Sequence, residues 1–223
     1  MGKYFVPTKG VDSWRCLLAD PEKQWKEKYS AFELAKSWEG SNDFPTTVKQ
    51  AFRNSNIDIF NRIEFLYGFP EYKVSLKGRG ASSQNDLYVL AKGNGELITI
   101  MIEGKASEPF GDTLKNWIGN EPSDGQITRL DYLLDLLNLD KTDAMNIRYQ
   151  LLHRTASALI EAENVGANHA IMLVHSFSET IQWYEDYEDF VNLFQLSPGK
   201  NNIVGPVQVD GKNLYFGWVT ENV

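Results

Sequence analysis

Cysteine is almost missing from this chain. Cys16 stands alone among 223 residues, which excludes an intrachain disulfide and any thiolate-rich metal site. Histidine is scarce as well: His153, His169 and His175 are the whole supply, and their positions show no metal-ligand spacing. Long apolar runs are absent. "LITIMI" and "AIMLV" fall far short of the ~20 residues that a membrane-spanning helix needs. The opening "MGKYFVPTKG" has no apolar segment of signal-peptide length, so no membrane association and a cytoplasmic location are expected.

Positive charge is in deficit too. Lys and Arg number 22 against 30 Asp and Glu, a formal charge of −8. That balance argues against a broad basic surface gripping nucleic acid through its phosphates. It leaves room for a local basic groove, for which Lys73, Lys77 and Arg79 in "KVSLKGRG" are the available residues. No G-x-G-x-x-G or Walker A loop and no G-x-S-x-G elbow occurs, so nucleotide-driven and serine acyl-transfer chemistry have no support.

What is present suffices for a sizeable core, since 42% of residues are hydrophobic in a length that suits one large domain. In "DPEKQWKEKYSAFELAKSWEG", Asp20 suits a helix cap, Pro21 a first helical position and Gly40 a helix end. A second helix is predicted over roughly 46–67, stopping at "GFP". "EYKVSLKG" then reads as a strand, followed by two more in "SSQNDLYVLAKGNGELITIMIEGKASE". "ITRLDYLLDLLNL" and "NIRYQLLHRTASALIEAENV" have the clearest helical periodicity. A buried strand, "HAIMLVHSF", comes next, then a helix around 180–195 and two strands about Asp210-Gly211. Helices before, between and after strands predict a mixed α/β sheet flanked by helices.

The hairpin carries the chemistry. Asn94-Gly95 is the preferred pair for a two-residue type I′ turn, and it places Asp86 directly opposite Glu103. Leu87, Val89, Ala91, Ile98, Ile100 and Ile102 then share one apolar face, while Asp86, Glu103 and Lys105 share the other. Two carboxylates about 5 Å apart repel by roughly 3 kcal/mol at an effective dielectric of about 20, so a cation is expected between them. Lys105 alone can supply it. A divalent metal also can, and hard oxygen ligands favour Mg²⁺, with Mn²⁺ as substitute, over Zn²⁺. A metal between two carboxylates beside an ammonium suits phosphodiester hydrolysis: the ion activates water, and Lys105 assists it. Glu108 is a candidate for a second metal or for capping the following turn, and Lys115 and Arg129 are candidates for phosphate contact.

Asn85-Asp86 followed by Glu103-Gly104-Lys105 resembles the D…(D/E)xK signature of the PD-(D/E)XK nuclease-like superfamily, which includes restriction endonucleases and Holliday-junction resolvases. "SQNDLYVLA", "IEGKASEPFG" and "RYQLLHRTASALIEA" resemble a stand-alone group within it. The resemblance implies a restriction-endonuclease-like α-β-β-β-α-β core over 46–175, with a helical lead-in over 1–45 and a C-terminal extension with extra strands over 176–223. It further implies Asp86, Glu103 and the Gly104 carbonyl as ligands of Mg²⁺, Glu64 on the first helix as an additional acid, and Lys105 as catalytic. Gln150 and Arg154, four apart on one helix face, would line the site. Nucleic acid would be the partner, and proteins of this fold often act as homodimers. Two positions depart from the pattern: Asn85 replaces the usual proline, and Gly104 replaces an aliphatic residue. The rival reading is a non-catalytic module that binds nucleic acid or protein. A third is a hydrolase of a small phosphorylated molecule.

Overall fold

A computed structural model describes residues 8–41, 43–78 and 80–222; Arg79 lies outside them. The N-terminal segment forms α1 (Asp12–Arg15), α2 (Pro21–Gln24) and α3 (Ser30–Glu39), followed by α4 (Thr46–Asn54). Asp20 caps α2 by accepting from the Lys23 N–H, Pro21 is its first residue, and Gly40 ends α3. The expected single helix is nevertheless broken, with Lys28 at φ +68° between α2 and α3.

The predicted helix over 46–67 is also shorter than expected. It ends at Asn54, and β1 (Glu64–Val74) begins where a helix was anticipated. Gly68 and Pro70 therefore lie inside a strand rather than at a helix end. Pro70 is tolerated because β1 is an edge strand, where a missing N–H costs no central ladder bond.

Strands β2 (Ser83–Gly93) and β3 (Glu96–Lys105) form the hairpin. Asn94 and Gly95 both have positive φ, as a type I′ turn requires. Leu87 pairs with Ile102 and Gly93 with Glu96, the register that the turn residues imply. After β3 come α5 (Leu114–Ile118), α6 (Asp124–Leu137), α7 (Lys141–Ala144) and α8 (Tyr149–Val165). Helix α6 starts with a Ser123/Gln126 capping box, and α8 ends at Gly166 in the left-handed conformation.

β4 (His169–Ser176) runs parallel to β3, buried at every residue, which is why it reads as a continuous apolar run. After α9 (Tyr184–Asn192), β5 (Asn202–Val209) and β6 (Lys212–Thr220) complete one mixed, open six-stranded sheet of order β1-β2-β3-β4-β6-β5. β6 lies parallel to β4 in the sheet interior, so the C-terminal strand is part of the core rather than an appendage. No helix among the described residues is long and apolar enough to cross a membrane.

The two faces of the sheet hold separate cores. Leu87, Val89, Ala91, Ile98, Ile100 and Ile102 pack with residues of α3 and α4, matching the apolar hairpin face. Tyr88 and Met101 belong to the other core, with α6, α8 and α9. Asp86, Glu103 and Lys105 stand at the edge of that second core, where the hairpin ladder ends.

Candidate functional site

The site is built on Glu103, which is only 2% exposed. Lys105 Nζ donates to its Oε1 at 2.8 Å, Gln150 Nε2 donates to the same oxygen at 2.6 Å, and Arg154 Nε donates to Oε2 at 2.5 Å. The α8 residues arrive together because positions four apart occupy one helix face. Burial by itself would raise the Glu103 carboxyl, but Arg154 and Lys105 outweigh it and hold the group below its ordinary range.

Asp86 has a different environment. Its Oδ2 accepts from the Gly104 N–H at 2.8 Å, while Oδ1 has Arg154 Nη2 at 3.7 Å. Burial and then the neighbouring Glu103 push this carboxyl well above its ordinary value. The β2–β3 ladder ends at Leu87 and Ile102, and beyond it Asp86 reaches the Gly104 N–H through its side chain. Phe177 N–H donates to the Lys105 carbonyl, and alternation along the ladder turns the Gly104 N–H the other way, towards β2, where Asp86 accepts it.

Gly104 has a packing reason. A Cβ there would stand 3.4 Å from Ser30 Cβ and 3.5 Å from Leu34 Cβ, so the branches of an aliphatic side chain would run into α3. The N-terminal lead-in occupies the space that such a residue would fill.

Glu64 is not in this site. It is exposed at the start of β1, paired with Lys92 near the opposite end of the hairpin. The acid that β1 does contribute is Glu71, which sequence reasoning missed. Glu71 lies between Pro70, opposite Leu87, and Tyr72, opposite Asn85, and so stands across from Asp86. Its φ is +53°, uncommon for a residue with a side chain. Gln84 Nε2 donates to Glu71 Oε2 at 2.7 Å, yet burial raises the carboxyl to about 7 despite that bond. The available signal was register: extending β1 back through Gly68 and Pro70 as an edge strand puts Glu71 beside Asp86.

These residues line one cavity of about 800 Å³, together with Glu108, Phe110, Trp117, Tyr149 and His153. Residues of the lead-in, among them Leu18, Lys23 and Tyr29, form another wall. Glu108 Oε1 is buried without a hydrogen-bond partner among the described residues. Lys105 Nζ also lies 4.8 Å from the Phe110 ring centroid. His153 Nδ1 is 2.8 Å from Ser83 Oγ, which in turn accepts from Arg154 Nη1 at 3.2 Å. Burial, then Arg154, Arg129 and Lys105, hold His153 well below its ordinary value, so it is neutral at pH 7. Arg129 is not a free phosphate ligand: it donates to the carbonyls of Lys77, Gly78 and Ala81.

Oxygen donors and excess negative charge fit a hard divalent cation. Asp86, Glu71 and Glu103 lie near Arg154 and Lys105, with Lys73 also acting on Glu71, and burial first, then the neighbouring Glu103, raises the Asp86 and Glu71 carboxyls. Both Glu103 oxygens are already engaged, however, and no group of three or more His, Cys, Asp or Glu among the described residues stands ready to hold a metal. An ion would require Glu103 Oε1 to release Lys105 or Gln150.

No curated protein and no solved structure matches the chain. A family model described as a domain of unknown function (DUF6946) does match, over residues 7–223, and by that extent the chain belongs to this family.

Proposed function

We propose that the protein is a Mg²⁺-dependent phosphodiester hydrolase of nuclease type, on a restriction-endonuclease-like core. The observation that carries the reading is the convergence of Asp86, Glu103, Lys105, Gln150 and Arg154 on one cavity where carboxylates outnumber cations. With α5, α6 and α7 inserted between β3 and α8, the order α4, β1, β2, β3, α8, β4 supports the α-β-β-β-α-β reading of that core.

Asp86, Glu103 and the Gly104 carbonyl would hold the ion, with Glu71 as the further acid in place of Glu64. When bound, Mg²⁺ supplies Lewis-acid polarisation of the phosphoryl oxygen and a more acidic water. Lys105, released from Glu103 Oε1, positions the attacking water and balances the negative charge that develops on the phosphoryl group. Gln150 offers its amide to a phosphoryl oxygen. Arg154 stays on Glu103 Oε2 and fixes the carboxylate's orientation, a preorganising role that its burial favours.

The test pairs turnover of a generic phosphodiester with Mn²⁺ binding measured by calorimetry. Lys105→Ala should abolish turnover and leave Mn²⁺ binding intact, and Lys105→Met, which preserves more volume, should behave alike. Full activity in both variants would sink the mechanism.

The saturation of Glu103 by three donors favours a second reading, a binding module that keeps the fold without catalysis. It requires that the unaltered protein neither bind Mn²⁺ nor turn over any phosphodiester.

A further inference from the structure

The cavity contains a feature that hydrolysis alone does not use. Trp117 of α5 and Tyr149 of α8 stack with ring centroids 4.0 Å apart and planes 12° apart, and both line the cavity. Tyr149 leads directly into Gln150. One turn on, His153 lies 4.8 Å from the Tyr149 ring and precedes Arg154. Helix α8 thus presents two adjacent stripes to the cavity, one aromatic and one carrying the groups bound to Glu103.

Size and charge restrict what can lie across both stripes. A volume of about 800 Å³ falls in the range of pockets that enclose a small molecule. Five acidic residues and three basic ones line it, the reverse of the basic track that follows a nucleic-acid backbone. The lead-in, through Leu18, Lys23 and Tyr29, forms one wall of the cavity. A planar ring fits the aromatic stripe, and one phosphate fits beside Lys105 and Gln150.

Resting on the hydrolase reading, we infer that this cavity takes a single nucleoside phosphate, free or at a strand terminus, with its base against Trp117 and Tyr149.

The experiment is calorimetric binding to the full chain in Mg²⁺, with adenosine 5′-monophosphate and ribose 5-phosphate as paired probes. The nucleotide should bind saturably, and Trp117→Ala should weaken it by on the order of ten-fold, the worth of one stacked base. The same variant should leave ribose 5-phosphate unchanged, and Trp117→Tyr should restore most of the nucleotide affinity, which separates stacking from misfolding. Equal affinity for the two probes, no binding of either, or an unchanged Trp117→Ala variant would overturn the inference. A 5′-phosphorylated single strand binding as tightly as the mononucleotide would identify strand ends as the source, and markedly weaker binding would identify the free nucleotide. Nucleotide binding without turnover of any phosphodiester would remove the hydrolase reading and keep this one. Internal cleavage of duplex without nucleotide binding would do the opposite.

Discussion

The same end of the sheet carries a buried polar cluster on each face, and the two are balanced differently. On the α8 side, Asp86, Glu71 and Glu103 share Arg154 and Lys105, and two of the three carboxyls are driven upward. On the α3 side, Trp38 Nε1 donates to His175 Nδ1 at 3.1 Å, and His175 Nε2 stands 3.3 Å from Glu221 Oε2. Thr47 and Ser37 hydroxyls donate to that same carboxylate oxygen. Burial would raise Glu221, but His175 and the two hydroxyls override it and bring the group to about 2. The α3 cluster fastens the C-terminal end to the lead-in through Trp38, Ser37 and Thr47, although His175 Nε2 makes no hydrogen bond among the described residues. The α8 cluster gathers more carboxyls than cations beside an open cavity and holds two of them where ionisation is disfavoured, a condition that a bound cation would relieve.

That contrast can be broken by mutation. The largest expected effect is at Arg154→Leu, which leaves Glu103 buried with only Lys105 and Gln150. Removing one partner of a buried pair costs about 3–5 kcal/mol, to be read by urea denaturation. A loss no greater than that at the α3 cluster would erase the distinction. Next comes Trp38→Phe, which leaves His175 Nδ1 without its donor and should cost about 1–3 kcal/mol.

Smaller effects carry the pH dependence. The Glu221 pKa is lowered on folding, so its contribution is complete above about pH 4.5 and fades as pH falls through about 2. Glu221→Gln should therefore cost about 1 kcal/mol at neutral pH, with the deficit shrinking in acid; a deficit independent of pH would contradict the assignment. Glu71 has the opposite sign. Its raised pKa makes ionisation unfavourable in the fold, a penalty that grows as pH rises from about 4.5 through about 7. Glu71→Gln should stabilise by about 1 kcal/mol above pH 7 and change nothing near pH 4. Thermal melts from about pH 2 to 4.5 check Glu221 and from about pH 4.5 to 8 check Glu71, and destabilisation by Glu71→Gln at high pH would contradict its raised pKa.

Much of the architecture was legible because it depends on local rules. The Asn94-Gly95 turn sets the hairpin register, and the register sets which side chains share a face; both the apolar face and the acidic one follow. The 3.6 periodicity of 149–165 places Gln150 and Arg154 together, and the apolar run of 169–176 reads as a buried strand. The error at 46–67 has an equally physical source. Gly68 and Pro70 break a helix wherever they occur, but they are also allowed in an edge strand, and edge status is a property of the sheet rather than of the segment.

The sequence alone determined the alternation that unites Asp86, Glu103 and Lys105 and the helical spacing that brings Gln150 beside Arg154, since both are short-range periodicities. Tertiary structure decided everything that depends on non-local contact. It put Glu71 instead of Glu64 across from Asp86, because β1 pairs as an edge strand along β2. It used Gly104 to admit α3, and it directed three donors onto Glu103 from β3 and α8. It also walled the cavity with the lead-in and Trp117. Which carboxyls keep their charge follows from those contacts, because desolvation and the distance between charges exist only once the chain has folded.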